Sequence, residues 1–367
     1  KKDCGEIARV CDYLDEICVV TRSVNSTDVQ AGALSVHNLD ALLRNTGKHI
    51  FLGVDSPRSL EVMIELASAA TGGRDNFIKR PNFTPSICPI SPLTLPDNSC
   101  NVIINSARSG LGVLVLPMAL SGGTSSATLA GTLVTHNTEV LSGIILAQLT
   151  KKGVPCTYGS TSTILDLRFG TSAIGSPEYG MINASIAKLA QYYRLPCYVG
   201  GGASDSKIPD TQCGYEFTLS ATLSALAGGN IVFGAGVMEQ GLTIDFAKII
   251  MDADMIRMIQ VASGGIEISD DKLAMDVIHE VGHGGAYISH EHSLRSMRSQ
   301  SQSKLFDRRS RDDLMEVTNV ASMCERAYGA DIDIIKNHQP YSLPEGAPET
   351  MVVIVTEFEK ELGIDKK

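Results

Sequence analysis

The chain has 367 residues, of which 43% are hydrophobic and 20% charged, and its 31 Lys and Arg against 41 Asp and Glu give a net charge of −10. The apolar fraction supports a sizeable core and excludes disorder for most of the chain. The acidic balance argues against nucleic acids and membrane surfaces as partners, because phosphate groups are bound by clustered Lys and Arg. No apolar run reaches the roughly 18 residues that a membrane span needs, and no signal peptide opens the chain.

The nine cysteines are scattered, odd in number and never arranged as a CxxC pair. This pattern is typical of free thiols in a reducing compartment, and it disfavours a disulfide framework or a structural zinc site. We therefore expect a cytoplasmic protein.

Hydrophobic periodicity predicts alternating helices and strands along the chain. Residues 5–14 have the pattern of an amphipathic helix, and because this pattern begins so close to residue 1, we expect a further segment upstream. Strands are predicted in eight apolar runs: 17–21, 49–54, 84–88, 112–116, 155–158, 196–200, 230–234 and 285–289. Helices between them are predicted at 126–150, 176–194, 210–227 and 243–261.

The predicted strands are short and largely apolar on both faces, and most of them end in or just before Gly, Ser, Pro or Asp, which is typical of parallel strands covered by helices. Eight such strands fit a closed (β/α)8 TIM barrel, here with helical additions at both ends; a doubly wound open sheet is the alternative. We expect the barrel to occupy residues 1–292. Residues 293–367 should form a C-terminal extension, which begins with an exposed basic segment and continues with helices.

Reactive groups of a barrel lie where strands end and the following loops begin. Several of these loops consist mostly of Gly, Ser and Thr: 121–126, 158–163, 200–205 and 233–236. Such residues either leave an open floor at the barrel mouth or simply end the strands, and residue type alone favours the second interpretation. No GxGxxG, P-loop or GxSxG motif is present, which argues against a dinucleotide site, a nucleotide phosphate site and a serine nucleophile elbow.

Four histidines, His279, His283, His290 and His292, occur within a short stretch near the last predicted strand. A zinc site would be indicated by nearby cysteines or by HExxH spacing, and neither occurs. Surface histidines, or hydrogen-bonding histidines at the barrel mouth, are therefore favoured.

Six short motifs stand out in residues 132–143 (TLVTHNTEVLSG), 157–161 (TYGST), 174–178 (IGSPE), 202–207 (GASDSK), 234–243 (GAGVMEQGLT) and 305–309 (LFDRR). In these motifs, which are spread over nearly the whole chain, the sequence resembles the trimethylamine:corrinoid methyltransferase family. The resemblance implies a (β/α)8 barrel, in agreement with the strand count, and a longer N-terminal part.

The resemblance also implies an activity, the transfer of a methyl group from an amine to the Co(I) form of a separate corrinoid-binding protein that docks over the barrel mouth. In the archaeal members a pyrrolysine stands just before the Ser204-Asp205 pair, and this chain has Ala203 there. Pyrrolysine is thought to capture a tertiary amine, which alanine cannot do. The departure favours relatives that demethylate quaternary amines, with glycine betaine as the first candidate and open space expected beside Ala203. Trimethylamine, proline betaine, carnitine and a non-catalytic betaine-binding barrel remain alternatives.

A quaternary ammonium leaves as a neutral amine when its methyl group is attacked, so no acid or metal is needed and we predict no metal in the site. Aromatic faces can hold the cation without stabilising the ground state as a contacting carboxylate would. The residues predicted as catalytic are Ala203, Ser204, Asp205 and Glu239, with Glu239 near the ammonium but not in contact with it. The residues predicted to bind substrate are Tyr158, Ser160, Phe233, Tyr287, His290 and Arg168, with Phe169, Arg22 and His292 as further candidates. For Arg168, an ion pair with Asp166 at the rim of the barrel is the simpler interpretation and is favoured over a contact with substrate. We also expect a homo-oligomer.

Overall fold

The computed structural model is built on a parallel sheet of seven strands. It describes residues 1–21, 24–315 and 321–364. The strands are β1 (Val19–Thr21), β2 (His49–Gly53), β3 (Phe83–Ile87), β4 (Val113–Val115), β5 (Cys156–Ser160), β6 (Cys197–Gly200) and β7 (Ile231–Phe233). Each strand pairs in parallel with the next one along the chain, so β1 and β7 are the two edges.

Helices follow the strands in strict alternation. The longer ones are α1 (Lys2–Tyr13), α2 (Leu34–Leu43), α3 (Pro57–Ala70), α4 (Asp97–Ser109), α5 (Leu129–Thr150), α6 (Pro177–Tyr193), α7 (Thr211–Leu226), α8 (Phe246–Gly264), α9 (Met323–Asn337) and α10 (Ala347–Glu361). Shorter helices are Arg74–Lys79, Asp270–Leu273, Met275–Val281, Glu291–Ser296 and Arg311–Met315, with 3-10 turns at Ala31–Ala33, Glu239–Gly241, Tyr287–Ser289 and Met297–Ser299. Short strands outside the main sheet are Leu120–Ser121, Thr163–Asp166, Thr171–Ala173, Val237–Met238 and Thr243–Ile244.

Side-chain caps set the starts of the helices that follow β5, β6 and β7. Ser176, with Pro177 in the first turn, accepts a hydrogen bond from the backbone of Tyr179, and Asp210 caps α7 in the same way. Asp245 caps α8. Such caps satisfy backbone N–H groups that a helix leaves unpaired at its start. The helix starts predicted at Ser176 and Asp210 are confirmed.

The sheet curls until distant strands face each other. Phe51 on β2 and Tyr198 on β6 have ring centroids 5.1 Å apart, although four strand spacings separate them, which is about 19 Å in a flat sheet. One interior cluster joins side chains from five strands: Val19, Phe51, Leu114, Tyr198, Ile231 and Phe233. The fold is thus a mixed α/β structure with a curled parallel sheet, which confirms the expected fold class, and the described part of the chain contains seven strands of this sheet where eight were expected.

The predicted strand at 285–289 is wrong, because this stretch forms the 3-10 turn Tyr287–Ser289 and Ile288 is 91% exposed. Helices cover the space between the edge strands β7 and β1. There α8 and α9 pack on α1, and Arg257 of α8 forms an ion pair with Glu16 just before β1.

The C-terminal part of the chain divides into an exposed segment and two packed helices. Residues 265–300 form short, exposed helices whose side-chain hydrogen bonds, such as that of Ser293, and ion pairs, such as that of His290, stay within the segment. The exposed stretch therefore begins earlier than the expected residue 293. α9 packs on α8 and α1, and α10 packs on α3 and α2. A domain boundary at residue 292 stays a prediction. No helix in the described ranges is both long and apolar enough to cross a membrane.

Candidate functional site

Three aromatic rings meet inside the curled sheet: Phe51 on β2, Tyr198 on β6 and Phe233 on β7, called here the aromatic trio. Tyr198 stacks on Phe233 with centroids 4.7 Å apart, and it contacts Phe51 at 5.1 Å. Phe51 and Tyr198 are buried, whereas Phe233 is half-buried and ends its strand, so its ring is the most accessible of the three. The sequence predicted Phe233 and missed the other two.

The polar groups around the trio are neutral. Burial raises the pKa of Tyr198, although a hydrogen bond with Thr21 partly opposes this. His49 lies 5.1 Å from Phe51, its Nε2 is 2.9 Å from the Thr84 hydroxyl, and burial lowers its pKa. Both groups are therefore uncharged near neutral pH, and ring faces provide the attraction for a cation there.

The loops that follow β6 and β7 are bonded to each other. Gly201 N donates to the Phe233 carbonyl at 2.9 Å, and Ser204 N donates to Val237 at 3.1 Å. Further along, Glu239 N donates to the Ser206 carbonyl at 3.0 Å. The segment with Ala203, Ser204 and Asp205 and the segment with Glu239 therefore form one unit at the carboxyl edge of the sheet.

Ser204 and Asp205 hold this unit together, and their polar atoms are already bonded. The Ser204 hydroxyl donates to Glu216 of α7 at 2.7 Å, and the Asp205 backbone donates to the same carboxylate at 2.8 Å. The Asp205 carboxylate accepts from the backbone N–H groups of Ile174 and Gly175, each at 3.0 Å. Burial raises the pKa of Asp205. Glu216 was not predicted from the sequence, although it could have been noticed as the one charged residue of α7.

Ala203 does not face open space. It is 2% exposed and packs against Ile174, Tyr179 and Val237. It is not among the lining residues of the four main cavities of the described residues. The expected cavity beside Ala203 is therefore absent from this arrangement, because the side chains of neighbouring elements fill the position.

Glycines at the strand ends serve close packing. A Cβ atom on Gly200 would lie 2.1 Å from the Tyr179 hydroxyl. Gly234 has φ of 140°, and a Cβ atom there would lie 2.7 Å from the Ala203 nitrogen. Only glycine leaves room for the Tyr179 side chain at position 200 and for the Ala203 backbone at position 234. The open glycine floor considered from the sequence does not exist at these positions.

Glu239 lies on the loop after β7, as expected, in a half-buried position. Its carboxylate accepts a hydrogen bond from the Thr243 hydroxyl at 2.7 Å. Glu239 and Gln240 both have left-handed backbone, with φ of 51° and 57°. Such conformations are unfavourable for non-glycine residues and cluster at functional sites.

Tyr158 and Ser160 do not reach the barrel interior. The Tyr158 hydroxyl donates to Asn137 of α5 at 2.7 Å, and its ring stacks on Tyr193 of α6 at 6.1 Å. Ser160 is fully buried, and its hydroxyl accepts from Ser162 N at 3.1 Å. Both predictions fail because alternate residues of a strand face opposite sides, and these two residues of β5 face the helices.

Arg168 lies on the surface, with its side chain 80% exposed, and pairs with Asp166 at 2.6 Å. The rim ion pair favoured from the sequence is confirmed, and the substrate-binding role is not supported. Phe169 is exposed and its ring lies below the Arg168 guanidinium at 5.3 Å. Arg22 lies outside the described residues.

Tyr287, His290 and His292 belong to the exposed segment 265–300 and not to a barrel strand. Nε2 of His290 lies 3.3 Å from the Glu280 carboxylate, and its Nδ1 accepts from the backbone of His292. Tyr287 and His290 therefore do not lie at the end of a strand as expected, and their substrate-binding roles stay a prediction. Within residues 1–21, 24–315 and 321–364, no group of three or more His, Cys, Asp or Glu is placed to hold a metal ion.

A buried ion pair on α8 holds the loop after β6 and the loop after β7 from the side of the helices. Lys248, 1% exposed, bonds to Asp252 at 2.5 Å and donates to the Gly202 carbonyl at 3.0 Å. Asp252 also accepts from Gly236 N at 2.8 Å. Burial raises the pKa of Asp252 to about 6. The pair thus ties the residue before Ala203 and the loop of Glu239 to one helix, a role that the sequence did not indicate.

Comparison with known proteins decides the family. A family model described as trimethylamine methyltransferase (MTTB) matches residues 1–363. The chain is 47% identical over 364 residues to the trimethylamine methyltransferase MttB of Desulfitobacterium hafniense. The aligned part covers 99% of this chain and 73% of that protein. This chain belongs to the trimethylamine methyltransferase family.

Two further comparisons give a more distant relative and a solved structure with a similar fold. It is 30% identical to the glycine betaine methyltransferase of Desulfitobacterium hafniense, over 92% of this chain and 70% of that protein. The crystal structure of the monomethylamine methyltransferase of Methanosarcina barkeri aligns with a TM-score of 0.50 at 12% identity, over 93% of this chain and 70% of that one. This second likeness shows a shared fold.

In this member of the trimethylamine methyltransferase family, the motif at 132–143 supports the barrel from outside. Nε2 of His136 donates to the Gly159 carbonyl at 2.9 Å at the end of β5. Glu139 accepts from the Ser91 hydroxyl and from Leu93 N, both at 2.8 Å. Both side chains are buried, so the motif that helped to identify the family holds the backbone of the barrel mouth.

Proposed function

We propose that this protein transfers a methyl group from a methylated amine to the Co(I) form of a corrinoid (cobalamin) that a separate corrinoid-binding protein carries. The observation that carries the proposal is the aromatic trio in a neutral barrel interior, with the half-buried Phe233 ring at the carboxyl edge. Each ring face attracts an ammonium by about 0.5–2 kcal/mol. In barrels of this kind, substrates enter at that edge, so the corrinoid protein is expected to dock there.

The reaction requires the protein to position the methyl group of the substrate more than to activate it. Attack by the cobalt electron pair forms the Co–C bond while the C–N bond breaks, and its electron pair leaves on nitrogen as a neutral amine. The residues of this chain then have to hold N–CH₃ in line with cobalt and keep other nucleophiles away. Two carboxylates near the mouth, those of Asp205 and Glu216, already accept hydrogen bonds from neighbouring protein groups, so we expect neither of them to contact the cation. A close carboxylate would stabilise the charged substrate more than the transition state.

A quaternary amine is our first candidate for the methyl donor, with glycine betaine ahead of proline betaine and carnitine. Ala203 supports this choice, because a packed methyl group offers no reactive group to a neutral tertiary amine. Trimethylamine is the second candidate, supported by the 47% identity to a protein of that name against 30% for the glycine betaine enzyme. A cytoplasmic location belongs to the same proposal.

The test mixes the protein with Co(I) cobalamin and one amine at a time, and follows the absorbance of methyl-cobalamin. We expect methylation with glycine betaine or a related betaine and at most slow methylation with trimethylamine. If trimethylamine is the only amine that supports methylation, it replaces glycine betaine as the proposed donor. A rise in Tm with a betaine and no methylation from any amine, with a cognate corrinoid protein also supplied, would identify a non-catalytic binder and overturn the proposal.

A further inference from the structure

One glycine at the carboxyl edge of the sheet borders open space. Gly53 ends β2 two residues after Phe51 and on the same side of the strand, about 7 Å further toward the carboxyl edge. A Cβ atom on Gly53 would meet nothing within 4 Å, in contrast to Gly200 and Gly234. Its neighbour in register on β3 is Ser86, which faces the same side of the sheet. The open space therefore lies on the interior side, next to the aromatic trio.

This space belongs to a cavity of about 240 Å³ at the carboxyl ends of β2 and β3, beside the start of α4, called here the β2–β3 cavity. Its polar lining residues include Asp55, Ser86, Asn98 and Ser99. Pockets that enclose a whole small-molecule ligand have roughly 300–1,000 Å³, so this cavity suits one arm of a larger molecule. The larger molecule that the proposed function brings to this edge of the sheet is the corrinoid.

Hydrogen-bond donors line the β2–β3 cavity. α4 begins after Pro96 without a side-chain cap, so the backbone N–H groups of Asn98 and Ser99 in its first turn have no partner within the helix. Among the described residues, no hydrogen bond engages the side-chain hydroxyl groups of Ser86 and Ser99. A carbonyl oxygen that enters the cavity therefore finds several donors.

The same cavity also contains an acceptor with a negative charge, the Asp55 carboxylate. Its Oδ2 accepts from Ser35 N at 2.7 Å, and its Oδ1 accepts no hydrogen bond from a described residue. The Asn98 side chain donates to the Asp55 carbonyl at 2.9 Å, which keeps the two residues together. An anionic arm would be repelled by Asp55. A neutral primary amide instead offers its N–H groups to the carboxylate and its carbonyl oxygen to the donors.

We propose that the β2–β3 cavity receives an acetamide arm of the corrin ring when the corrinoid protein docks at the mouth. The inference rests on the proposed function. Cobalamin carries neutral amide arms around its ring, and the acetamide arms project from the face that carries the methyl group, whereas the propionamide arms project from the opposite face. Because the methyl-bearing face has to meet the amine, the acetamide arms are the ones that point toward this chain. An arm held beside Gly53 positions the ring relative to the aromatic trio.

Equilibrium dialysis with cyanocobalamin tests the proposal without amine or corrinoid protein, since cyanide occupies the face that the methyl group would occupy. The comparison ligands have one acetamide arm or one propionamide arm hydrolysed to the acid. In wild type, hydrolysis of one of the acetamide arms should raise the Kd about fivefold or more, because Asp55 repels the acid. Hydrolysis of a propionamide arm should change the Kd less than about twofold.

The variant Asp55→Asn keeps an oxygen for Ser35 N and removes the charge, so its Kd values for the amide and acid forms should agree within about twofold. The matched control is Asp166→Asn, which makes the same change at the rim ion pair outside the cavity and should discriminate as wild type does.

Three outcomes would overturn the proposal: no binding of millimolar cyanocobalamin to wild type, equal Kd values for its amide and acid forms, or undiminished discrimination in Asp55→Asn. If circular dichroism shows that Asp55→Asn does not fold, Ser86→Ala replaces it, and loss of one donor should raise the Kd of cyanocobalamin about threefold. Methyl transfer is assayed separately, so a failed cavity with intact transfer leaves the proposed function standing.

Discussion

At the scale of single residues, Ala203 has its methyl group against Ile174, Tyr179 and Val237. A larger side chain must displace these neighbours, so Ala203→Leu is expected to lower the free energy of unfolding by about 1–3 kcal/mol. Urea unfolding of wild type and variant measures this. Unchanged stability together with lost turnover would instead mean that space exists beside Ala203 and that substrate uses it.

Glu239 can be tested through its carboxylate. Glu239→Gln keeps an oxygen that accepts the Thr243 hydroxyl, so the loop is expected to stay in place. Without direct contact to the ammonium, the substitution should raise KM modestly and leave kcat within about tenfold, equivalent to roughly 1.4 kcal/mol. Steady-state kinetics checks this. A loss of several orders of magnitude in kcat would require a mechanism centred on this carboxylate.

At the scale of secondary-structure elements, the Lys248–Asp252 pair links α8 to two loops. Lys248→Met leaves a buried carboxylate without its cation, and we expect it to cost about 3–5 kcal/mol of stability. The double variant Lys248→Met with Asp252→Leu removes both charges and should recover at least half of that loss. Urea unfolding compares the three proteins. A loss below about 1 kcal/mol in the single variant would show that the pair does not hold the loops.

His136 links α5 to the end of β5 and makes stability depend on pH. Burial lowers the pKa of His136 to about 4 from the ordinary value of 6.5. Between these values the unfolded chain binds a proton that the folded chain does not, so stability falls as pH drops from 6.5 to 4, by up to roughly 3 kcal/mol. His136→Gln can still donate to Gly159 but does not titrate. Its Tm should fall less than that of wild type between pH 7 and pH 5, and equal falls would contradict this assignment.

How far the sequence predicts this molecule depends on the element. Seven strands were found because most of them are apolar runs that end in or just before Gly, Ser, Pro or Asp, whereas 285–289 has a similar composition but no partner strand. The direction of each side chain was not predictable, since both faces of a covered parallel strand are apolar. Tyr158 therefore looked equivalent to Tyr198, although one faces the helices and the other the interior. In the sequence, Glu216 and Lys248 look like ordinary helix residues. Only their buried contacts show that they hold the loops in place.

For the whole molecule, the curled sheet places a neutral aromatic interior below a mouth of interlocked loops. The helices α1, α8 and α9 cover the interval between the edge strands. On the proposed function, the interior of the sheet binds the amine and the mouth receives the corrinoid protein.

The most direct measurement of the central claim is the rate of methyl transfer from amine to Co(I) in wild type, Phe233→Leu and Tyr158→Phe. Phe233→Leu keeps an apolar side chain but removes a ring face, so kcat/KM should fall about tenfold, or roughly 1.4 kcal/mol. Tyr158→Phe loses only the hydrogen bond to Asn137 on the helix side, and its kcat/KM should stay within about twofold while its Tm falls. Wild-type kcat/KM in Phe233→Leu, together with a large loss in Tyr158→Phe, would contradict the claim that the aromatic trio holds the substrate.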